Sequence, residues 1–194
     1  MRVISGSARG LKLIAPEGMG TRPTTDRVKE SLFNIIQPYI PAQNVLDLFG
    51  GSGALGIEAL SRGSKACVFV DNDKKAVDII TFNARKARVI DRANIVKTDA
   101  FSYLSACSEK FDIIFLDPPY NKGFLKDVLK EIYKRRLLKD GGIIAVESEA
   151  GGESAEDCGF VCIKVAKYGK TTVSIFKHSQ DGDNYENCCI SGKL

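Results

Sequence analysis

Long apolar runs and C-x-x-C pairs are absent from this 194-residue chain, and histidine is nearly so. No stretch reaches the roughly 18 apolar residues of a membrane-spanning helix. The opening Met1-Arg2-Val3-Ile4-Ser5-Gly6-Ser7 has no apolar core of a secretory signal, so a cytoplasmic protein is expected. Six cysteines are present, but no C-x-x-C occurs and His178 is the single histidine. Cys67 falls in an apolar run, Cys107 near a helix end, Cys158 and Cys162 are four apart, and Cys188-Cys189 are adjacent. That spacing suits free thiols rather than a metal or disulfide framework, with Cys188 and Cys189 open to oxidation. An apolar fraction of 44% and a charged fraction of 27% fit one ordinary globular domain.

The charge is modest in sum and uneven in placement. Of the net +4, residues 1–30 hold +3, from Arg2, Arg9, Lys12, Arg22, Arg27 and Lys29 against Glu17, Asp26 and Glu30. Residues 181–194 hold −2, from Asp181, Asp183 and Glu186 against Lys193. A basic front end on a near-neutral body fits contact with nucleic acid; a solvated surface hairpin fits the same charges.

Three segments follow from the pattern: an N-terminal β-hairpin extension over 1–21, a main domain over 22–179, and a loosely ordered tail over 180–194. The hairpin pairs Arg2–Ser5 with Leu11–Ile14 across Gly6-Ser7-Ala8-Arg9-Gly10. A helix from about Thr25 buries Val28, Leu32, Ile35 and Ile36 on one face. Strands at 45–48, 66–70, 94–97, 113–116 and 143–146 then alternate with helices at 54–62, 74–88, 101–106 and 123–136. Such alternation builds a parallel sheet with helices on both faces, and 160–167 with 171–176 closes it as an antiparallel pair. The predicted fold is therefore α/β and Rossmann-like, a mostly parallel seven-stranded sheet.

The first strand runs into Phe49-Gly50-Gly51-Ser52-Gly53, and Gly51-x-Gly53-x-x-Gly56 fits a dinucleotide fingerprint with Asp71 20 residues beyond Gly51. Glycines allow a tight turn and close backbone approach at a helix N-terminus, and Asp71 suits ribose hydroxyls. An NAD enzyme fits these residues. Asp47 shifts the balance, because a carboxylate just before the loop attracts an ammonium group and repels a pyrophosphate. Asp99-Ala100, at the end of the third strand, is placed to accept from an adenine amine. Strand-end aspartates also serve as helix caps.

The fourth strand ends in Asp117-Pro118-Pro119-Tyr120. Ligands bind beyond the carboxyl ends of strands in open α/β sheets. Two prolines stiffen the turn and leave carbonyls free, Asp117 adds a carboxylate, and Tyr120 offers a flat ring. These groups suit an exocyclic amine on a nucleobase. A half-buried aromatic closing the sheet end also fits Tyr120, and a helix cap also fits Asp117. Lys134-Arg135-Arg136 falls at a helix C-terminus, where cations favour the dipole.

Taken together, these residues resemble class I S-adenosylmethionine-dependent methyltransferases, and more narrowly the RsmD family of ribosomal RNA guanine-N2 methyltransferases. The resemblance rests on Arg22–Asn34, Asp47–Gly53, Val70-Asp71-Asn72-Asp73, Asp117–Tyr120 and the opening Arg2–Gly6 with Arg9-Gly10. It covers about residues 1–178. Asp-Pro-Pro-Tyr is shared with DNA adenine-N6 enzymes, but no gap between elements is long enough for a target-recognition insertion. A non-catalytic RNA-binding ribosome-assembly factor is the third possibility. The resemblance implies S-adenosyl-L-methionine held by Asp47, Phe49, Gly50, Gly51, Ser52, Gly53, Asp71, Asn72, Asp99 and Ala100. It implies catalysis by Asp117, Pro118, Pro119 and Tyr120, and no metal. Arg2, Arg9, Lys12, Arg22 and Arg27 are candidate RNA contacts, although Arg22, Thr24 and Arg27 fit the methionine end of the cofactor as well. The expected partner is ribosomal RNA within an assembling small subunit, bound by a monomer.

Overall fold

The computed structural model of the chain describes residues 1–15, 24–118, 124–149 and 158–179. Arg22, Pro119, Tyr120, Cys188, Cys189 and the expected tail lie outside the described residues.

The chain alternates as its apolar periods predict. Helix α1 (Thr24–Ile35) precedes β1 (Asn44–Asp47), α2 (Ala54–Ser61), β2 (Ala66–Asp71) and α3 (Lys74–Lys86). Then come β3 (Ala93–Lys97), α4 (Ala100–Ala106), β4 (Phe111–Leu116), α5 (Phe124–Lys134), β5 (Leu138–Glu149), β6 (Phe160–Tyr168) and β7 (Thr171–His178). The sheet order is β3-β2-β1-β4-β5-β7-β6, with β1 to β5 parallel and β7 antiparallel to both neighbours. The strand order reverses at β1, so the crevice above β1 and β4 is the topological switch point.

Period two sorts the strands' side chains between two cores. Val45, Ile113, Phe115, Ile143 and Ala145 join Val28, Leu32, Ile57 and Ile80 on the face of α1, α2 and α3. Leu46, Ile114, Leu116, Ile144 and Val146 join Leu104, Val128, Leu129 and Ile132 on the face of α4 and α5. Continuing that alternation, Asp47, Asp117 and Glu147 all emerge on the α1 side at neighbouring strand ends.

Strand β5 starts earlier than the predicted 143–146. Leu138 pairs with Phe111 and Ile143 with Ile113, so the β5 side carries extra residues between two rungs. Gly142 fits there because a Cβ would come within 2.9 Å of the Asp112 carbonyl oxygen.

The expected N-terminal β-hairpin is present only as an antiparallel turn-back with a single bridge, not as two full strands. The described arm turns back on itself through one antiparallel bridge, Arg2 to Lys12, and backbone bonds such as Val3 N–H to the Leu11 carbonyl, 2.9 Å. Side chains take the other donors: Ile4 and Ser5 N–H donate to Glu58, and Ile14 N–H donates to Asn83. Val3 and Leu13 are buried against the α1-side core, so the arm covers the outer face of α2. That explains why seven of the eight α2 residues are buried, Glu58 included.

Candidate active site

The site begins where β1 turns into α2. Gly53 adopts φ +75°, the left-handed region, as the residue capping α2, and its N–H donates to the Gly50 carbonyl. Packing, rather than ligand room, also demands glycine here: a Cβ on Gly50 would lie 2.7 Å from Ile80, and one on Gly56 2.3 Å from Phe69. Gly51 differs. Its φ is +54°, and the nearest atom to an added Cβ is 3.9 Å away, so its face is open. Ser52 is buried, and its carbonyl accepts from Asn83.

Asp47 is 3% exposed, and one carboxylate oxygen accepts the Gly56 N–H at 3.0 Å. Burial pushes its carboxyl up to about 7; the Gly56 bond opposes this, while Asp117 and Asp71 add to it. The third glycine N–H of the fingerprint is therefore committed to a carboxylate. A carboxylate at this place disfavours a pyrophosphate and suits a cationic amino acid moiety.

Asp71 stitches the glycine loop to β2. One oxygen accepts Gly51 N–H at 2.8 Å and the other accepts Asp73 N–H at 2.9 Å. Each oxygen keeps a second lone pair for a ribose hydroxyl. Asn72 is exposed beside it, and Asp73 caps α3 by accepting from Lys75 N–H. Asp99 caps α4, accepting Ser102 N–H at 2.9 Å; the Ser102 hydroxyl first, and this N–H second, hold its carboxyl below the usual range. Ala100 is buried behind it. Thus Asp99 is a helix cap, with its other oxygen facing solvent-accessible space.

Asp117 keeps solvent-accessible surface at the cleft floor, yet enough protein surrounds it that desolvation lifts its carboxyl to about 6. Pro118 is buried next to it. Glu147 extends from β5 one position past the Leu116–Val146 rung, beside Asp117. Burial first, and Asp117 second, push its carboxyl up to about 7. Neither Asp117 nor Glu147 has a hydrogen bond or ion pair among the described residues. Unpaired carboxylates on adjacent strands, about 5 Å apart in backbone spacing, are held ready for donors or a cation.

The chain is also similar to known proteins in sequence and fold. Residues 1–177 match the family described as "Conserved hypothetical protein 95". YlbH of Bacillus subtilis (strain 168) is 45% identical over 181 residues, covering 91% of this chain and 98% of that protein. The Ribosomal RNA small subunit methyltransferase D of Escherichia coli (strain K12) is 38% identical over 149 residues, 77% of this chain and 75% of that protein. The chain belongs to the RsmD family. The solved structure of yhhF from Escherichia coli superposes with a TM-score of 0.82 at 33% identity, covering 92% of this chain and 97% of that one.

As an RsmD-family methyltransferase, the protein gathers most of the described cofactor candidates at the β1, β2 and β3 ends. The RNA candidates scatter. Arg2 sits beside Asp26, which accepts its backbone N–H at 2.9 Å and lies 3.6 Å from its guanidinium. Arg9 is exposed on the arm's turn, at the amino end of the sheet near Ser61. Lys12 is exposed and its carbonyl accepts from Lys86. Arg27 is exposed on the first turns of α1, at the cleft end.

Two groups escaped the sequence reading. Glu147 looked like one more strand residue, and only the register with Asp117 marks it. Phe101 and Phe124 form an aromatic corner with Phe49: Phe124 lies 5.7 Å from Phe49 and 5.4 Å from Phe101, centroid to centroid. Phe101 is 38% exposed, an unusual position for a phenylalanine directly after a buried Ala100, and that spacing was the available signal.

Proposed function

We propose that the protein transfers the methyl group of S-adenosyl-L-methionine to the exocyclic N2 amine of a guanine in small-subunit (16S) ribosomal RNA. The observation that carries this is the row of carboxylates Asp47, Asp117 and Glu147 on one side of three adjacent strand ends. The RsmD membership and the similarity to the ribosomal RNA small subunit methyltransferase D of Escherichia coli support the RNA target. In this reading the protein works in the cytoplasm as a monomer on an assembling subunit, with residues 1–21 as an extension of the methyltransferase domain.

The residues divide the work by position. The cofactor supplies an electrophilic methyl group on a sulfonium. Asp47 faces its ammonium end, Asp71 its ribose and Asp99 its adenine amine, with Phe49 and the Gly50–Gly53 loop lining the approach. Asp117 and the Pro118 carbonyl accept from the two N2–H bonds of guanine. Glu147 accepts from the neighbouring N1–H, so three donors in a row on the base meet three acceptors on the protein. Held this way, the N2 lone pair leaves ring conjugation and points at the methyl carbon, and in-line positioning supplies much of the acceleration. With the cofactor bound, methyl transfer to N2 would release its sulfur as a neutral thioether, and Asp117 is the group that would take the amine's surplus proton. Pro119 and Tyr120 complete the motif, Tyr120 as a stacking plate for a base taken out of its helix.

The test is transfer of labelled methyl to unmodified small ribosomal subunits, followed by nucleoside mass analysis. N2-methylguanosine is the expected product. N6-methyladenosine would move the protein to adenine chemistry on the same site, and cofactor binding without transfer to RNA would leave a binding role.

A further inference from the structure

A second surface runs away from the cleft along the opposite flank of α1. Helix α1, 3₁₀ turn Gln37–Tyr39, β6 and β7 enclose a groove of about 650 Å³. Its walls include Ser31, Asn34 and Tyr39 on one side and Lys164 and Tyr168 on the other. Lys177 lies over the Tyr39 ring, 5.1 Å from its centroid. From Cys158 to Ser179 the chain holds four lysines and no acidic residue.

One end of the groove lies toward the site. Tyr168 pairs with Thr171, and Thr171 pairs with Glu149 at the top of β5, so this end of the groove stands two strand spacings from Glu147's strand. That is roughly 10 Å. On the facing wall, Arg27, Ser31 and Asn34 recur at i, i+4 and i+7, one stripe of α1 descending from the cleft end. Strand β6 is the sheet edge, and edge strands carry lysines to block pairing. That accounts for single lysines. It does not account for Tyr168 between Lys167 and Lys170 or for the lack of any acidic residue across two strands.

We propose that this groove holds the single-stranded RNA flanking the methylated nucleotide, with Lys164 and Arg27 on phosphates and Tyr168 and Tyr39 under bases. Lysines set beside aromatic rings suit single strands of any sequence, which fits a track that positions RNA while the cleft chooses the base. The inference rests on the RNA-methyltransferase reading, but its test does not need methyl transfer.

The sheet supplies a matched control. Lys164 pairs with Ile175 and faces the groove, whereas Lys167 pairs with Thr172 and faces the other side of the sheet. Binding of a fluorescent oligouridylate of about ten nucleotides to the full chain is measured for Lys164→Gln, Lys167→Gln, Tyr168→Ala and Tyr168→Phe, alongside cofactor binding. Lys164→Gln and Tyr168→Ala should weaken oligonucleotide binding roughly fivefold or more and raise KM for subunits with kcat unchanged. Lys167→Gln should change it less than about twofold, and Tyr168→Phe should keep it, since the ring remains. Equal losses for both lysine variants would reduce the effect to net charge and overturn the proposal. Weaker subunit binding with unchanged oligonucleotide binding would make the groove a protein-docking surface and overturn it too. If wild-type protein binds the oligonucleotide through this groove yet forms no N2-methylguanosine, the function fails and the groove stands.

Discussion

Glu58 and Asp117 are both carboxylates on the α1 side of the sheet, and they are treated in opposite ways: Glu58 lies in the core, whereas Asp117 stays exposed at a strand end. Glu58 is fully buried and fully engaged. One oxygen accepts Ile4 N–H at 2.7 Å and pairs with Lys29 at 3.1 Å; the other accepts Ser5 N–H at 2.9 Å and the Arg62 guanidinium at 2.8 Å. Lys29, 3% exposed, also donates to the Arg2 carbonyl at 2.6 Å, and burial draws its ammonium below the ordinary value while Glu58 opposes that. This cluster fastens the arm to α1 and α2. Asp117 and Glu147 meet no such donors among the described residues, and Asp47 meets one. In the first region the charges are answered within the chain; in the second they are left for a ligand. A carboxylate answered within the chain marks structure, and one left open at a strand end marks chemistry.

Breaking each side should give different failures. Asp117→Ala carries the largest expected effect: methyl transfer falls roughly 100- to 1,000-fold while cofactor affinity changes little, as expected for lost positioning and electrostatics. Single-turnover transfer with labelled cofactor reads this, and wild-type rates would remove Asp117 from the site. Glu58→Gln should leave Lys29 and Arg62 without their counter-charge and cost about 3–5 kcal/mol of folding stability. Urea denaturation reads that loss; a change below about 1 kcal/mol would mean that the buried cluster does not secure the arm.

Asp47→Asn should go the other way in stability. It removes a desolvated charge while keeping an oxygen for Gly56 N–H, so the cofactor-free midpoint rises at pH 8 and cofactor affinity falls tenfold or more, about 1.4 kcal/mol. The pH dependence sharpens the same contrast. Asp47, Asp117 and Glu147 have folded values of about 6 to 7, above the ordinary carboxylate range. The folded chain therefore holds protons that the unfolded chain has lost, so this contribution to stability is present below about pH 4 and drains away as pH rises through 7. Cofactor affinity should climb over pH 6 to 7.5 as the carboxylates ionise, and titration calorimetry in two buffers would show proton release. The smallest effect is expected at Asp99→Asn, which retains a cap acceptor; near-normal affinity there separates capping from a charge requirement at the adenine end.

The strand–helix alternation was readable because apolar periods of two and 3.6 are local, and so were the strand-end aspartates and the glycine loop. The arm was not, because its hairpin competes with Glu58 and Asn83, whose sequence separations from it exceed 50 residues. Nothing near Ile4 announces that its N–H will be taken from a distance. Glu147 was hidden for a related reason: a glutamate late in an apolar strand reads as solvated until β4 and β5 are placed in register. Asp99 was read for the cofactor, and the structure adds its capping bond to Ser102. Both roles draw on the same short acidic side chain at a strand end.

The opposite signs expected for Asp47→Asn and Glu58→Gln test the central claim most directly. Equilibrium urea denaturation of both variants and the wild type, without cofactor at pH 8, should place Asp47→Asn above the wild type and Glu58→Gln well below it. Two destabilised variants would contradict the account, because Asp47 would then be a structural carboxylate like Glu58 and not one held open for a ligand.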